Sequence, residues 1–190
     1  MLAYFALLLA VLSRMLPHAF HSVSWNFTAM GGGLLFFGSR MDSSKRAAWM
    51  LPSALAVLMA TDYYLTVFAF GYPFQIRDYL VTWLWYAAVC LVGMGILQKT
   101  TLLRVAIGVL ATSTSFFLIS NFTVWVGGSM SMYPHTLAGL GACYMAGVPF
   151  YRNDLVSTAL TAGALFGLPV LAARIAESMR TVHGNDLPLA

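Results

Sequence analysis

Asp62 is the residue with the clearest chemical potential. It lies in the apolar run Ala47–Phe70, and a carboxylate in such a segment is costly unless it meets a partner or a cavity. If Ala47 marks the inner face, the helix has risen about 22 Å at Asp62, the outer third of a roughly 30 Å hydrocarbon core. The competing reading is a helix-end carboxylate that reaches out to the lipid surface. Other polar and aromatic residues fall near the same level. His18, His21 and Asn26 follow the first apolar run, Gln75, Arg77 and Asp78 form a second loop, and Trp83 and Trp85 follow that loop. Asn121, Trp125, Tyr133, His135, Arg152, Asn153 and Asp154 come later in the chain. From these, His18, Asn26, Asp62, Trp85, Asn121, Trp125, Tyr133, His135 and Arg152 are the candidate ligand-binding residues. Such a lining suits a small, flat or polar molecule. Single Trp and Tyr residues at this level also suit an interfacial aromatic belt.

Catalytic and metal chemistry find little here. His18 and His135 have no His-x-x-x-His spacing or cysteine partner, so neither a metal nor a haem is expected, and no other cofactor. Cys90 and Cys143 both sit in apolar segments without a Cys-x-x-Cys motif and read as buried small residues. Gly128-Ser129-Met130-Ser131 is a flexible loop rather than a strand-to-helix nucleophile elbow. No Gly-x-x-x-x-Gly-Lys-Ser/Thr occurs, so the chain is expected to hydrolyse no nucleotide and to be no enzyme.

The elements that must position these residues are membrane helices. The chain is 60% hydrophobic and only 8% charged, with mean hydropathy +0.79, against roughly 25% charged residues in soluble domains. This implies an all-α, polytopic membrane bundle and leaves no room for a soluble catalytic domain. The net charge of +4 is spread over short loops without a basic stripe, which argues against nucleic acid as a partner. One bundle over residues 1–176 is expected, followed by a polar, frayed tail over residues 177–190.

Met1–Leu16 reads as a retained first helix ending at Pro17, with Ala6 and Ala10 as a small-xxx-small pair. Phe27–Gly38 holds Gly31-Gly32-Gly33 and is too short to span alone, so it reads as a thin helix packed inside the bundle. Further helices are expected over Ala47–Phe70, interrupted by Pro52, and over Tyr79–Leu97, Val105–Val126 and Leu155–Ile175. Trp25-Asn26-Phe27-Thr28 is echoed by Ser120-Asn121-Phe122-Thr123, and each Asn reads as a cap or loop ligand near the membrane surface.

The stretch from Tyr133 to Asp154 decides the topology. Pro134 and Pro149 are expected to set its ends, and Ala138, Ala142 and Ala146 to pack it. If it spans, Arg40, Lys45, Arg46, Lys99, Arg104 and Arg152 lie inside; if it dips in and returns, Arg152 is exchanged for Arg174 and Arg180. The positive-inside rule prefers the second by one charge. It gives six transmembrane helices, both termini cytoplasmic, and a re-entrant or interfacial segment on the outer side.

The arrangement resembles the substrate-binding S-components of energy-coupling-factor vitamin transporters. The likeness rests on a small-residue first helix, a short Gly-rich second helix, and Pro149-Phe150-Tyr151-Arg152-Asn153-Asp154-Leu155 before the last helix, with Asn153 where the biotin type carries Gly. The chain also resembles a family of uncharacterised bacterial integral membrane proteins, through Leu16-Pro17-His18, Asn26-Phe27-Thr28, Ser120-Asn121-Phe122, Tyr133-Pro134-x-Thr136-Leu137-Ala138-Gly139-Leu140, Cys143-Tyr144 and Pro149-Phe150. The resemblance implies an inner-membrane subunit that binds a vitamin-sized small molecule from outside. It implies that Ala6 and Ala10 contact a transmembrane coupling subunit whose associated ATPases supply the energy. The alternative is a structural or accessory membrane subunit without a ligand of its own.

Overall fold

The structure is a computed structural model and describes residues 2–19, 27–128 and 132–184, the side chains of 16–19 and 180–184 excepted. The described residues are all-helical, with six α-helices among them: α1 Leu2–Ala19, α2 Met30–Ser39, α3 Ser44–Tyr64, α4 Leu80–Ile96, α5 Leu102–Gly127 and α6 Leu137–Gly184. A π-helical segment, Leu65–Ala69, extends α3, and a 3-10 turn, Ile76–Asp78, precedes α4.

The organising element is α2. It is apolar on every side, which only an enclosed helix can be, and all ten of its residues are buried. Leu34, Leu35, Phe36 and Phe37 are fully enclosed. Around it pack α1, α4, α5 and α6. Its glycines set the approach distances. A Cβ on Gly32 would stand 2.7 Å from the Ala162 backbone nitrogen of α6, and one on Gly33 would stand 2.7 Å from the Ala10 Cβ of α1. The expectation of a short, inward-packed second helix therefore holds, with the bounds moved to Met30–Ser39.

The flanking helices start where their sequences supply caps. Ser43 accepts a hydrogen bond from the Arg46 N–H at the start of α3, and Thr101 accepts one from the Arg104 N–H at the start of α5, both at 3.3 Å. Thr136 accepts from the Gly139 N–H at 3.1 Å just before α6. Pro52 does not interrupt α3, which runs through it. The first helix likewise continues past Pro17 to Ala19.

The largest departure is α6. The segment expected to enter and leave on one side is the first part of a single 48-residue helix that passes through Pro149 and Pro169. Both prolines are on exposed positions of that helix. Its packing face also differs from expectation. Ala138, Ala142 and Ala146 are exposed, whereas Gly139, Cys143 and Gly147 are buried. Cys143 donates to the Asn121 carbonyl of α5 at 3.3 Å, and the missing side chain of Gly147 leaves room for the Asn121 amide. The tail expected to fray from Glu177 is helical as far as Gly184.

Among the described residues, three segments are long and apolar enough to cross a membrane: Ser44–Ala69, Leu102–Gly127 and Leu137–Met179. The other three apolar helices are shorter. At ten residues α2 rises about 15 Å, half of a ~30 Å core, so it does not count among full spans. The far part of α6 leaves the core just described: its residues 171–179 are exposed.

Candidate ligand cavity

One turn before the π segment, α3 turns Asp62 into the bundle, where it is 1% exposed. Neither carboxylate oxygen is left bare. Oδ1 pairs with the Arg14 guanidinium of α1, and Oδ2 accepts from the Trp83 indole N–H of α4 at 2.9 Å. The Asp62 carbonyl accepts from the Thr66 hydroxyl at 2.7 Å, and that hydroxyl meets the Tyr79 phenol. The widened turn has an identifiable bond, Phe70 N–H to the Leu65 carbonyl at 2.8 Å. Single π turns of this kind recur at functional sites.

Beside this pair lies a cavity of about 230 Å³, lined by Arg14, Thr28, Met30, Asp62, Tyr79, Thr82, Trp85, Tyr86, Phe116 and Asp154. All six α-helices contribute, α2 through Met30, α5 through Phe116 and α6 through Asp154. Among the described residues, the Oδ2 of Asp154, itself 7% exposed, has no hydrogen-bond partner, and the buried Arg14 Nη1 has none either. The Arg14 guanidinium also stands 6.0 Å from the centre of the Tyr86 ring. Behind Asp154 a polar void of about 20 Å³ is lined by Ser113, Ser120 and Asn121 among others.

Trp85 forms the wall toward the outside of the bundle. Its indole N–H donates to Ser115 of α5 at 3.0 Å, and its ring lies 4.7 Å from that of Phe116. On its other side an apolar crevice of about 470 Å³ runs between α4 and α5, lined by Val81, Leu84, Ala88, Val92, Ala111 and Ile119 among others.

The expected site residues are only partly gathered here. Asp62 and Trp85 line the cavity. Asn121 does not; it sits within α5, not in a loop, and its amide donates to the Phe117 carbonyl at 2.8 Å. Trp125, Tyr133 and His135 lie at the junction of α5 and α6. There the Trp125 indole donates to the Pro134 carbonyl at 3.0 Å and packs 5.5 Å from the His135 ring. Arg152 is exposed on α6. The side chain of His18, the whole of Asn26 and residues 129–131 lie outside the described residues. Ala6 and Ala10, 2% and 0% exposed, are covered by the chain's own α2 rather than left open to a partner.

Two charged lining residues are absent from the expected ligand contacts. Arg14 follows the first apolar run, where a charge reads as a helix end. Asp154 was placed at the cavity's level but not among the ligand contacts. Its signal was available in Asp154, Ser157 and Thr158, which share one helical face at i, i+3 and i+4 in an otherwise apolar run.

The described residues form an all-helical bundle with helices capable of crossing a membrane. Residues 1–179 match a family described as a family of unknown function (DUF6580), and the chain belongs to that family. No curated protein and no solved structure matches it at a significant level.

Proposed function

We propose that this protein is a membrane-embedded binding or uptake subunit for a small organic nutrient, resembling an S-component. The observation that carries the reading is the convergence of Arg14, Asp62 and Asp154 on one cavity inside an apolar bundle. Ionisable groups at such depth are expensive and mark ligand or ion sites. In this reading the protein is no enzyme. It sits multi-pass in the inner membrane with both termini cytoplasmic. A single crossing by α6 keeps Arg174 and Arg180 on the cytoplasmic side with Arg40, Lys45, Arg46, Lys99 and Arg104, the distribution the positive-inside rule prefers. Energy for uptake would come from a transmembrane coupling subunit with ATPases. Since Ala6 and Ala10 are covered, that partner would meet the outward side of α1, where Leu2, Phe5, Leu8, Leu9 and Leu12 are exposed.

Native mass spectrometry of the purified protein tests the reading. A co-purifying small organic mass, lost on substitution of Asp154 or Arg14 in a folded variant, is the expected result. The absence of any such mass across several growth media would overturn it and leave an accessory membrane subunit.

A further inference from the structure

We infer that the cavity takes a small organic cation, a protonated amine or quaternary ammonium, with Asp154 as its counter-charge; this rests on the binding function proposed above. The charges that line the cavity are Arg14, Asp62 and Asp154. Arg14 and Asp62 neutralise each other in a direct pair, and the second Asp62 oxygen is taken by Trp83. Asp154 is therefore the one charge of the three without an ionic partner among the described residues; the Ser113 hydroxyl stands beside its carboxyl, and its Oδ2 accepts no hydrogen bond from those residues. A buried carboxylate in that state lacks the charged donor that would balance it. A cationic ligand supplies the donor or the charge and brings the lining to neutrality. An anion would add a second uncompensated negative charge.

The walls point the same way. Tyr79, Trp85, Tyr86 and Phe116 border the cavity, and aromatic faces attract ammonium groups, most strongly when water is excluded. The remaining buried Nη1 of Arg14 is a donor for an oxygen acceptor, so a cation with a hydroxyl or carbonyl oxygen satisfies both orphaned groups. The volume of about 230 Å³ is below the ~300–1,000 Å³ of drug-sized sites, which confines the ligand to a small molecule.

The test uses the full chain in lipid nanodiscs and matched probes that differ in charge but not shape. Choline is compared with 3,3-dimethyl-1-butanol, and 2-phenylethylamine with N-acetyl-2-phenylethylamine and 3-phenylpropionate, by calorimetry and thermal shift. At least one cation should bind at least about tenfold more tightly than its uncharged counterpart. Asp154→Asn should abolish that ratio, and Asp154→Glu should retain part of it. Equal or tighter binding of the neutral or anionic probes overturns the inference, as does binding of no cation. The comparison of isosteres on the unsubstituted protein needs no variant to fold. A neutral or anionic mass in native spectra would remove the cation assignment but leave the binding function standing. If no mass co-purifies and no probe binds, the binding function itself fails.

Discussion

Arg14 of α1 and Asp62 of α3, 48 residues apart in sequence, form an ion pair in the interior of the bundle. The pair joins the first helix to the third across the site, and the Trp83 indole ties the same carboxylate to α4. A pair so enclosed need not add net stability, since both charges were taken from water. Its value lies in position: it fixes a guanidinium beside the cavity and cancels its charge.

Removing one member orphans the other. Asp62→Ala and Arg14→Ala should each destabilise the protein by about 3–5 kcal/mol, read as a loss of thermal stability in detergent. Replacing both together, Arg14→Leu with Asp62→Leu, should recover most of that loss while leaving no ligand retained. If the double variant is no more stable than the singles, the two residues do not act as a pair.

The packing of α2 on α4 makes a second prediction. A Cβ on Gly38 would fall on the backbone of Cys90, and one on Gly93 on the backbone of Leu35. Backbone cannot swing aside as a side-chain tip can. Gly38→Ala and Gly93→Ala should each cost at least about 1–3 kcal/mol, the usual range for overpacking. Gly163 has open space around it within α6, so Gly163→Ala should be neutral or gain up to about 1 kcal/mol. Comparable losses at all three positions, measured by unfolding in detergent, would contradict this packing.

Trp85 separates the polar cavity from the apolar crevice between α4 and α5. Trp85→Phe removes its bond to Ser115 but keeps the wall. Its stability cost should be about 0.5–1.5 kcal/mol. Trp85→Ala opens the cavity to the crevice and should accelerate ligand release much more than Trp85→Phe does. Equal release rates for the two variants would show that the ring is no barrier.

The helical segments and the enclosed second helix were legible because composition alone demands them: Gly31-Gly32-Gly33 followed by Leu-Leu-Phe-Phe has no polar side to show to water. Asp62 was legible as a carboxylate that needs a partner, but the partner was not. Arg14 follows an apolar run, and a charge at a helix end looks the same in sequence whether it reaches water or turns inward. The outer-loop candidates failed as a single group because equal depth does not mean a shared cavity. Trp125 and His135 meet each other at the α5–α6 junction, while Asp154 enters the site from a helical face shared with Ser157 and Thr158. Pro149 misled for a physical reason as well. A proline removes one backbone donor and usually ends a helix, but in lipid-embedded bundles neighbouring groups can re-satisfy the freed carbonyl and the helix continues.

That continuity makes the last prediction. A helix of 48 residues is about 72 Å long, more than twice the ~30 Å hydrocarbon core, and Leu137–Met179 is apolar enough to cross. If α6 crosses once, its two ends lie on opposite sides of the membrane. Cys90 and Cys143 are 1% and 2% exposed, so both can be replaced by Ala to give a cysteine-free background and neither should react with a polar maleimide beforehand. In that background His135→Cys should label from outside intact cells, and Met179→Cys should label only after the membrane is permeabilised. Labelling of both from outside would mean that residues 137–179 cross twice, with Arg152 inside and Arg174 outside. Labelling of Met179→Cys alone from outside would invert the orientation and place the Arg174 end of α6 away from the cytoplasm.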